Sequence, residues 1–104
     1  MWKRVCRAQD IPANGLKQVD VEGGAPIVIA NAGDEFFAFQ ALCPHEAIPL
    51  ADGIHDGSVL TCLEHLWQFD LRTGEPRGDA EAPTETYKLK QENGELYVWV
   101  EPAG

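Results

Sequence analysis

The sequence predicts an all-β chain. Apolar residues come in short runs rich in β-branched and aromatic side chains, turn residues separate the runs, and no segment carries a helical stripe. The expected strands are Trp2 to Cys6, Lys17 to Val21, Pro26 to Asn31, Phe36 to Gln40, Ser58 to Thr61, Gln68 to Asp70, Thr86 to Gln91 and Glu95 to Val100. Gly23-Gly24, Ala32-Gly33-Asp34, Asp56-Gly57, Thr73-Gly74 and Asn93-Gly94 are the turns between them. Asn93-Gly94 is the strongest hairpin signal, because both residues tolerate the positive φ of a type I′ turn. Asp10-Ile11-Pro12-Ala13 reads as one helical turn capped by Asp10, and the polar stretch from Arg77 to Glu85, with Pro76 before it and Pro83 within it, reads as a loop.

A chain of 104 residues has room for one modest core, so residues 1–104 are expected to form a single domain. Nine aromatic residues supply bulky surface to order it without disulfide staples. No apolar run approaches the roughly 18 residues of a membrane helix, and the start lacks a signal-peptide core, so the expected location is the cytoplasm. Eight basic residues against seventeen acidic ones give a formal net charge of -9, which repels nucleic acid and anionic membranes and suits a partner with a basic face. The same acidity also serves solubility alone. Three cysteines fit poorly with a disulfide framework, and in a reducing compartment metal binding is the better use of two of them.

Two ligand pairs stand out. Cys43-Pro44-His45 is followed, after sixteen residues, by Cys62-Leu63-Glu64-His65. Each pair mixes a thiolate with an imidazole, and strands before the two loops, around 43–48 and 62–67, can hold them face to face. Tetrahedral zinc also takes a Cys2His2 set, and a zinc-stabilised binding module is the alternative from another class. The spacing argues against it, since zinc modules keep two cysteines on one knuckle and two histidines on a helix.

With both pairs in place the sequence resembles the Rieske family, in which one iron of a 2Fe-2S cluster takes two cysteines and the other takes two histidines. The Cys-x-His and Cys-x2-His pattern is matched in full, and Leu50-Ala51-Asp52-Gly53, Phe69-Asp70 with Thr73-Gly74, and the Asn93-Gly94 hairpin add weaker likenesses. The resemblance implies one 2Fe-2S cluster on Cys43, His45, Cys62 and His65. It also implies stacked antiparallel sheets, a small cluster-binding subdomain carrying the two loops, and a third, proline-containing loop to which Pro83 belongs. Respiratory-type members carry an extra cysteine in each loop; Ile48 and Glu64 stand there, so the chain is similar to the soluble, disulfide-free ferredoxins.

A terminal oxygenase needs a further iron on two histidines and a carboxylate, and only His55 remains for it, so catalysis is expected elsewhere. Pro44 and Trp67 make the chain most similar to the ferredoxin subunit of toluene and related aromatic or alkene monooxygenases, with the ferredoxins of ring-hydroxylating dioxygenases as the alternative. The resemblance implies a monomeric one-electron shuttle between an NADH-dependent flavoprotein reductase and the hydroxylase component of an oxygenase, with the loop tips around His45 and His65 facing the oxygenase. A redox sensor is a further rival, but the sequence shows no cluster-dependent switching element.

The remaining candidates have plainer readings. His55, in the polar Asp52 to Gly57 stretch, reads as a solvated turn histidine, and Cys6 as a buried small hydrophobe in the first strand. Trp67 is assigned to the cluster flank or the partner-facing surface ahead of the plain core. Leu42, Ile48, Leu50, Leu63 and Leu66 are expected at the loop tips, with Glu46 and Glu64 adding negative charge. High-potential Rieske proteins resemble one another in placing a serine two residues, and a tyrosine four residues, after the second histidine ligand. Trp67 and Phe69 occupy those positions, so a low potential is expected.

Overall fold

The computed structural model describes residues 1–44, 48–63, 66–78 and 80–101. Its strands are β1 (Trp2–Arg7), β2 (Leu16–Val19), β3 (Ile27–Asn31), β4 (Phe36–Gln40), β5 (Ile54–His55), β6 (Val59–Thr61), β7 (Gln68–Asp70), β8 (Pro76–Arg77), β9 (Thr86–Tyr87), β10 (Leu89–Glu92) and β11 (Glu95–Trp99). They form a terminal sheet in the order β1-β11-β10, a middle sheet β2-β3-β4-β9 and a small sheet β5-β6-β7-β8. Every strand pairing among the described residues is antiparallel, as the Rieske resemblance implies. Among the described residues no helix is long and apolar enough to cross a membrane.

The middle sheet is covered on both faces, and β3 shows why. All five of its residues are buried, with Ile27 and Ile29 in one apolar cluster and Val28 and Ala30 in another. Side chains on a strand alternate between faces, so a run without polar alternation marks a strand with core on each side. Ile27 and Ile29 pack with Cys6, Leu96 and Val98 of the terminal sheet, whereas Val28 and Ala30 pack with Leu60, Phe69 and Leu71 of the small sheet's side. Cys6 is buried as expected, and burial pushes its thiol pKa up.

Several expectations change. The single strand read over Thr86 to Gln91 divides: β9 pairs with β4 in the middle sheet, while β10 pairs with β11 in the terminal sheet. Helical structure near residue 10 is a 3-10 turn over Ala8–Asp10, with Asp10 at its end; the Asp10 carboxylate accepts from the Arg7 N–H at 3.1 Å. A second 3-10 turn covers Leu50–Asp52, and Leu50 is fully buried instead of standing at a loop tip. The loop expected over Arg77 to Glu85 starts within a strand, since Pro76 and Arg77 form β8, paired to β7. Asn93 and Gly94, with φ of 52° and 79°, make the β10–β11 hairpin as the sequence predicts.

The small sheet is fastened to the middle one at its turns. His55 is a strand residue opposite Leu60, half-buried, and not the solvated turn histidine expected. Its Nδ1 accepts the Gly57 N–H at 3.1 Å, which leaves the proton on Nε2, and Nε2 donates to the Gly15 carbonyl at 3.0 Å. On the opposite turns, the Arg72 guanidinium makes paired bonds of 3.0 and 2.7 Å to the Glu35 carboxylate and lies 5.2 Å from the centre of the Phe37 ring.

Candidate metal centre

The two ligand loops leave different sheets but close alike. The first follows β4: Leu42 bridges to Pro49, the Leu50 N–H donates to Ala41 O, and the Cys43 N–H donates to Ile48 O, both at 2.8 Å. The second joins β6 to β7, where Thr61 faces Gln68 and the Cys62 N–H donates to Trp67 O at 2.8 Å. Each cysteine therefore bonds to the carbonyl five residues ahead, a symmetry hidden by the unequal Cys-x-His and Cys-x2-His spacings.

These bonds place both thiols in one environment. Cys43 and Cys62 are buried, 5% and 3% exposed, and belong to the same apolar cluster as Ala41, Leu50, Leu60, Trp67 and Phe69. Neither is half of a disulfide. Trp67 is 8% exposed, and its ring meets Phe69 edge-on with centroids 6.2 Å apart. It belongs to the core beside the cysteines, which removes it from the partner-facing surface. Among the described residues, Leu42, Leu63 and Leu66 are the large apolar side chains of these loops left in solvent, at 44%, 52% and 64% exposure. Leu66 also has φ of 58°, a left-handed conformation that costs a non-glycine residue energy.

A third segment closes over the same cluster. Ala80 and Ala82 pack against it, while the Thr84 N–H donates to Gly74 O at 2.9 Å. Gly74 has φ of 77°, and a Cβ there would stand 2.3 Å from Thr84 O, so both the turn and the close approach require glycine. The turn is organised by Asp70, whose carboxylate accepts from the N–H groups of Arg72 (2.9 Å) and Thr73 (3.1 Å) and from Arg77 Nη2 (2.6 Å). The Arg77 guanidinium first, then those backbone donors, hold the Asp70 pKa down to about 2.

The donor chemistry fits an iron–sulfur centre. Thiols that share an apolar enclosure are suited to a cluster that must be kept from water, and the fold holds both from their backbone. His45, Glu46, Glu64 and His65 lie outside the described residues. The third segment contains Pro83 and is the third loop that the Rieske resemblance implies, whereas Gln40 has no signature in the sequence beyond its proximity to Cys43.

A covered, thiol-bearing pair of loops on stacked antiparallel sheets defines a small all-β architecture with a candidate metal site. Residues 1–96 match the family model of the Rieske [2Fe-2S] domain, and the chain belongs to that family. It is 40% identical over 100 residues to the methanesulfonate monooxygenase ferredoxin subunit of Methylosulfonomonas methylovora, covering 95% of this chain and 80% of that one. It is 31% identical over 99 residues to the ferredoxin component of biphenyl 2,3-dioxygenase from Rhodococcus jostii (strain RHA1), covering 94% and 92%. A solved complex of reduced oxygenase and oxidized ferredoxin in carbazole 1,9a-dioxygenase contains a chain that superposes with a TM-score of 0.85 at 32% identity, over 93% of this chain and 91% of that one. The chain is thus a Rieske-type ferredoxin related to electron-transfer components of both monooxygenases and dioxygenases, and the likeness is not particular to the monooxygenase group.

Proposed function

We propose that this ferredoxin carries single electrons from an NADH-dependent flavoprotein reductase to the terminal component of an oxygenase system, as a monomer in the cytoplasm, with Cys43, His45, Cys62 and His65 as its metal ligands. The observation that carries this reading is the pair of buried thiols in one apolar cluster, each at the same station of a closed loop. When bound, a Rieske cluster supplies a one-electron couple tuned by its ligands, hydrogen bonds and exposure. The chain's residues provide the rest. Trp67, Phe69 and Leu50 exclude water from the cysteine side, and exposed Leu42, Leu63 and Leu66 offer the apolar contact by which a partner approaches. The net charge of -9 steers the encounter toward a basic face.

The solved oxygenase–ferredoxin complex of carbazole 1,9a-dioxygenase, and the biphenyl 2,3-dioxygenase relative at similar identity, favour an oxygenase of the dioxygenase kind over the diiron monooxygenase expected from Pro44 and Trp67. The test is the purified protein. Iron and sulfide in equal amounts, visible colour and a Rieske-type electron paramagnetic resonance signal are expected, and each should vanish in His45→Ala and His65→Ala while persisting in His55→Ala. A colourless zinc protein, or equal loss of iron from the His55 variant, would sink the assignment.

A further inference from the structure

We propose that Gln40 is a positioning residue for the metal centre, its side-chain amide clamping the third loop, residues 80–85, to the peptide that leads into Cys43. The side-chain Oε1 accepts the Glu85 N–H at 2.8 Å, and Nε2 donates to Leu42 O at 2.6 Å. A backbone N–H is only a donor and a carbonyl only an acceptor, so these partners fix which way the amide faces. The Gln40 N–H adds a bond of 2.9 Å to Glu85 O, so the residue holds the third loop through both its backbone and its side chain.

The Leu42 carbonyl shares a peptide unit with the Cys43 N–H, which donates to Ile48 O at 2.8 Å. That unit is therefore held at both ends, by Gln40 on one side and by the loop's own closure on the other. Beyond the clamp, Ala80 and Ala82 lie against the apolar cluster that contains both cysteines. Gln40 thus joins the lid of that cluster to the loop supplying one of its thiols. Releasing the clamp lets water reach the enclosure. Water favours the reduced centre, which carries the extra negative charge, so the midpoint potential rises and metal is lost faster.

This inference rests on Cys43 being a cluster ligand. Gln40→Met keeps the length and removes both side-chain bonds; the Glu85 amide should exchange about fivefold faster, the equivalent of one hydrogen bond of about 1 kcal/mol. Its midpoint should rise with the cluster intact. Gln40→Glu keeps the acceptor for the Glu85 N–H but replaces the donor to Leu42 O by a carboxylate oxygen, so slow exchange at Glu85 should return with the Leu42 bond still broken, and the added negative charge, outweighing the entry of water, should lower the midpoint. Wild-type exchange at Glu85 with an unchanged midpoint in Gln40→Met overturns the proposal. If that variant does not fold, fast exchange at Glu85 in Gln40→Glu overturns it instead. Wild-type protein without a 2Fe-2S cluster would instead overturn the proposed function, while the Glu85 exchange rates in the same samples would still decide the clamp.

Discussion

His55 Nε2 donates to the Gly15 carbonyl at 3.0 Å across two sheets: His55 lies in β5 of the small sheet, and Gly15 immediately precedes β2 of the middle sheet. The same ring accepts the Gly57 N–H on its other nitrogen, so one neutral imidazole ties its own turn and the neighbouring layer together. His55→Ala is expected to cost about 1–2 kcal/mol, since two backbone groups lose a partner in a half-buried place. Urea denaturation measures that loss. Iron content should stay at the wild-type level, because the imidazole is already committed to protein partners.

Acid should loosen the small sheet through Asp70. Its folded pKa of about 2 lies below the ordinary carboxylate range, so the unfolded chain binds the proton more readily. The stabilisation is present above the unfolded value of about 3.9 and is lost as pH falls through the folded value. Asp70→Asn should therefore lower the urea midpoint at pH 7, and the gap from wild type should narrow below about pH 4. An equal gap at pH 7 and pH 2.5 would show that ionisation of Asp70 contributes nothing to the stability it supplies.

The outlines of this architecture were open to inspection in the sequence, and the reasons for the exceptions are physical. The IVIA run of β3, the Asn93-Gly94 hairpin and the two Cys/His pairs each express a strong local rule, and the first two form as expected. Thr86 to Gln91 reads as one strand because its alternation continues through a change of partner, and only tertiary contacts tell β9 from β10. His55 and Pro76 sit in two-residue strands, too short for any periodic signal. Of the two places read for Trp67, the cluster flank and the partner-facing surface, only the first suits a ring that turns inward to Phe69 beside the buried cysteines. At the candidate metal centre the two cysteines lie in one buried cluster, whereas His45 and His65 lie outside the described residues.

Leu66 supplies a test of the proposed partner surface. A leucine at φ of 58° with 64% of its surface in water gains nothing from the fold, and asparagine adopts that backbone more easily. Leu66→Asn should therefore keep or slightly raise thermal stability, yet weaken association with the oxygenase component about five- to thirtyfold, the cost of a contact worth about 1–2 kcal/mol. Raising ionic strength should slow the encounter of both proteins alike, because the acidic charge that steers it is untouched by the change. Stopped-flow reduction of the oxygenase reads both effects. Unaltered kinetics in the variant would remove Leu66 from the interface, and a rate insensitive to salt would leave the net charge of -9 as a solubility device.

Phe69 bears on the potential. It is fully buried in the cluster that contains Cys43 and Cys62, and among Rieske proteins a phenol four residues after the second histidine raises the potential by donating toward sulfur. With Phe69 and Trp67 at the two positions that carry hydroxyls in high-potential members, the midpoint should fall in the lower half of the Rieske span, which runs from roughly -150 to +300 mV. Phe69→Tyr separates two placements. If the new hydroxyl reaches a cysteine sulfur, the midpoint rises and stability is kept, because the buried O–H has an acceptor. If it does not, the hydroxyl is buried without a partner, which costs about 1–3 kcal/mol and leaves the midpoint where it was. Protein-film voltammetry and thermal unfolding on the same samples distinguish the two. The edge-on packing of Phe69 on Trp67 keeps the ring from turning freely, so a tyrosine would keep the direction the phenylalanine has now, and an unchanged midpoint with the cluster intact would mean that this direction points away from both sulfurs.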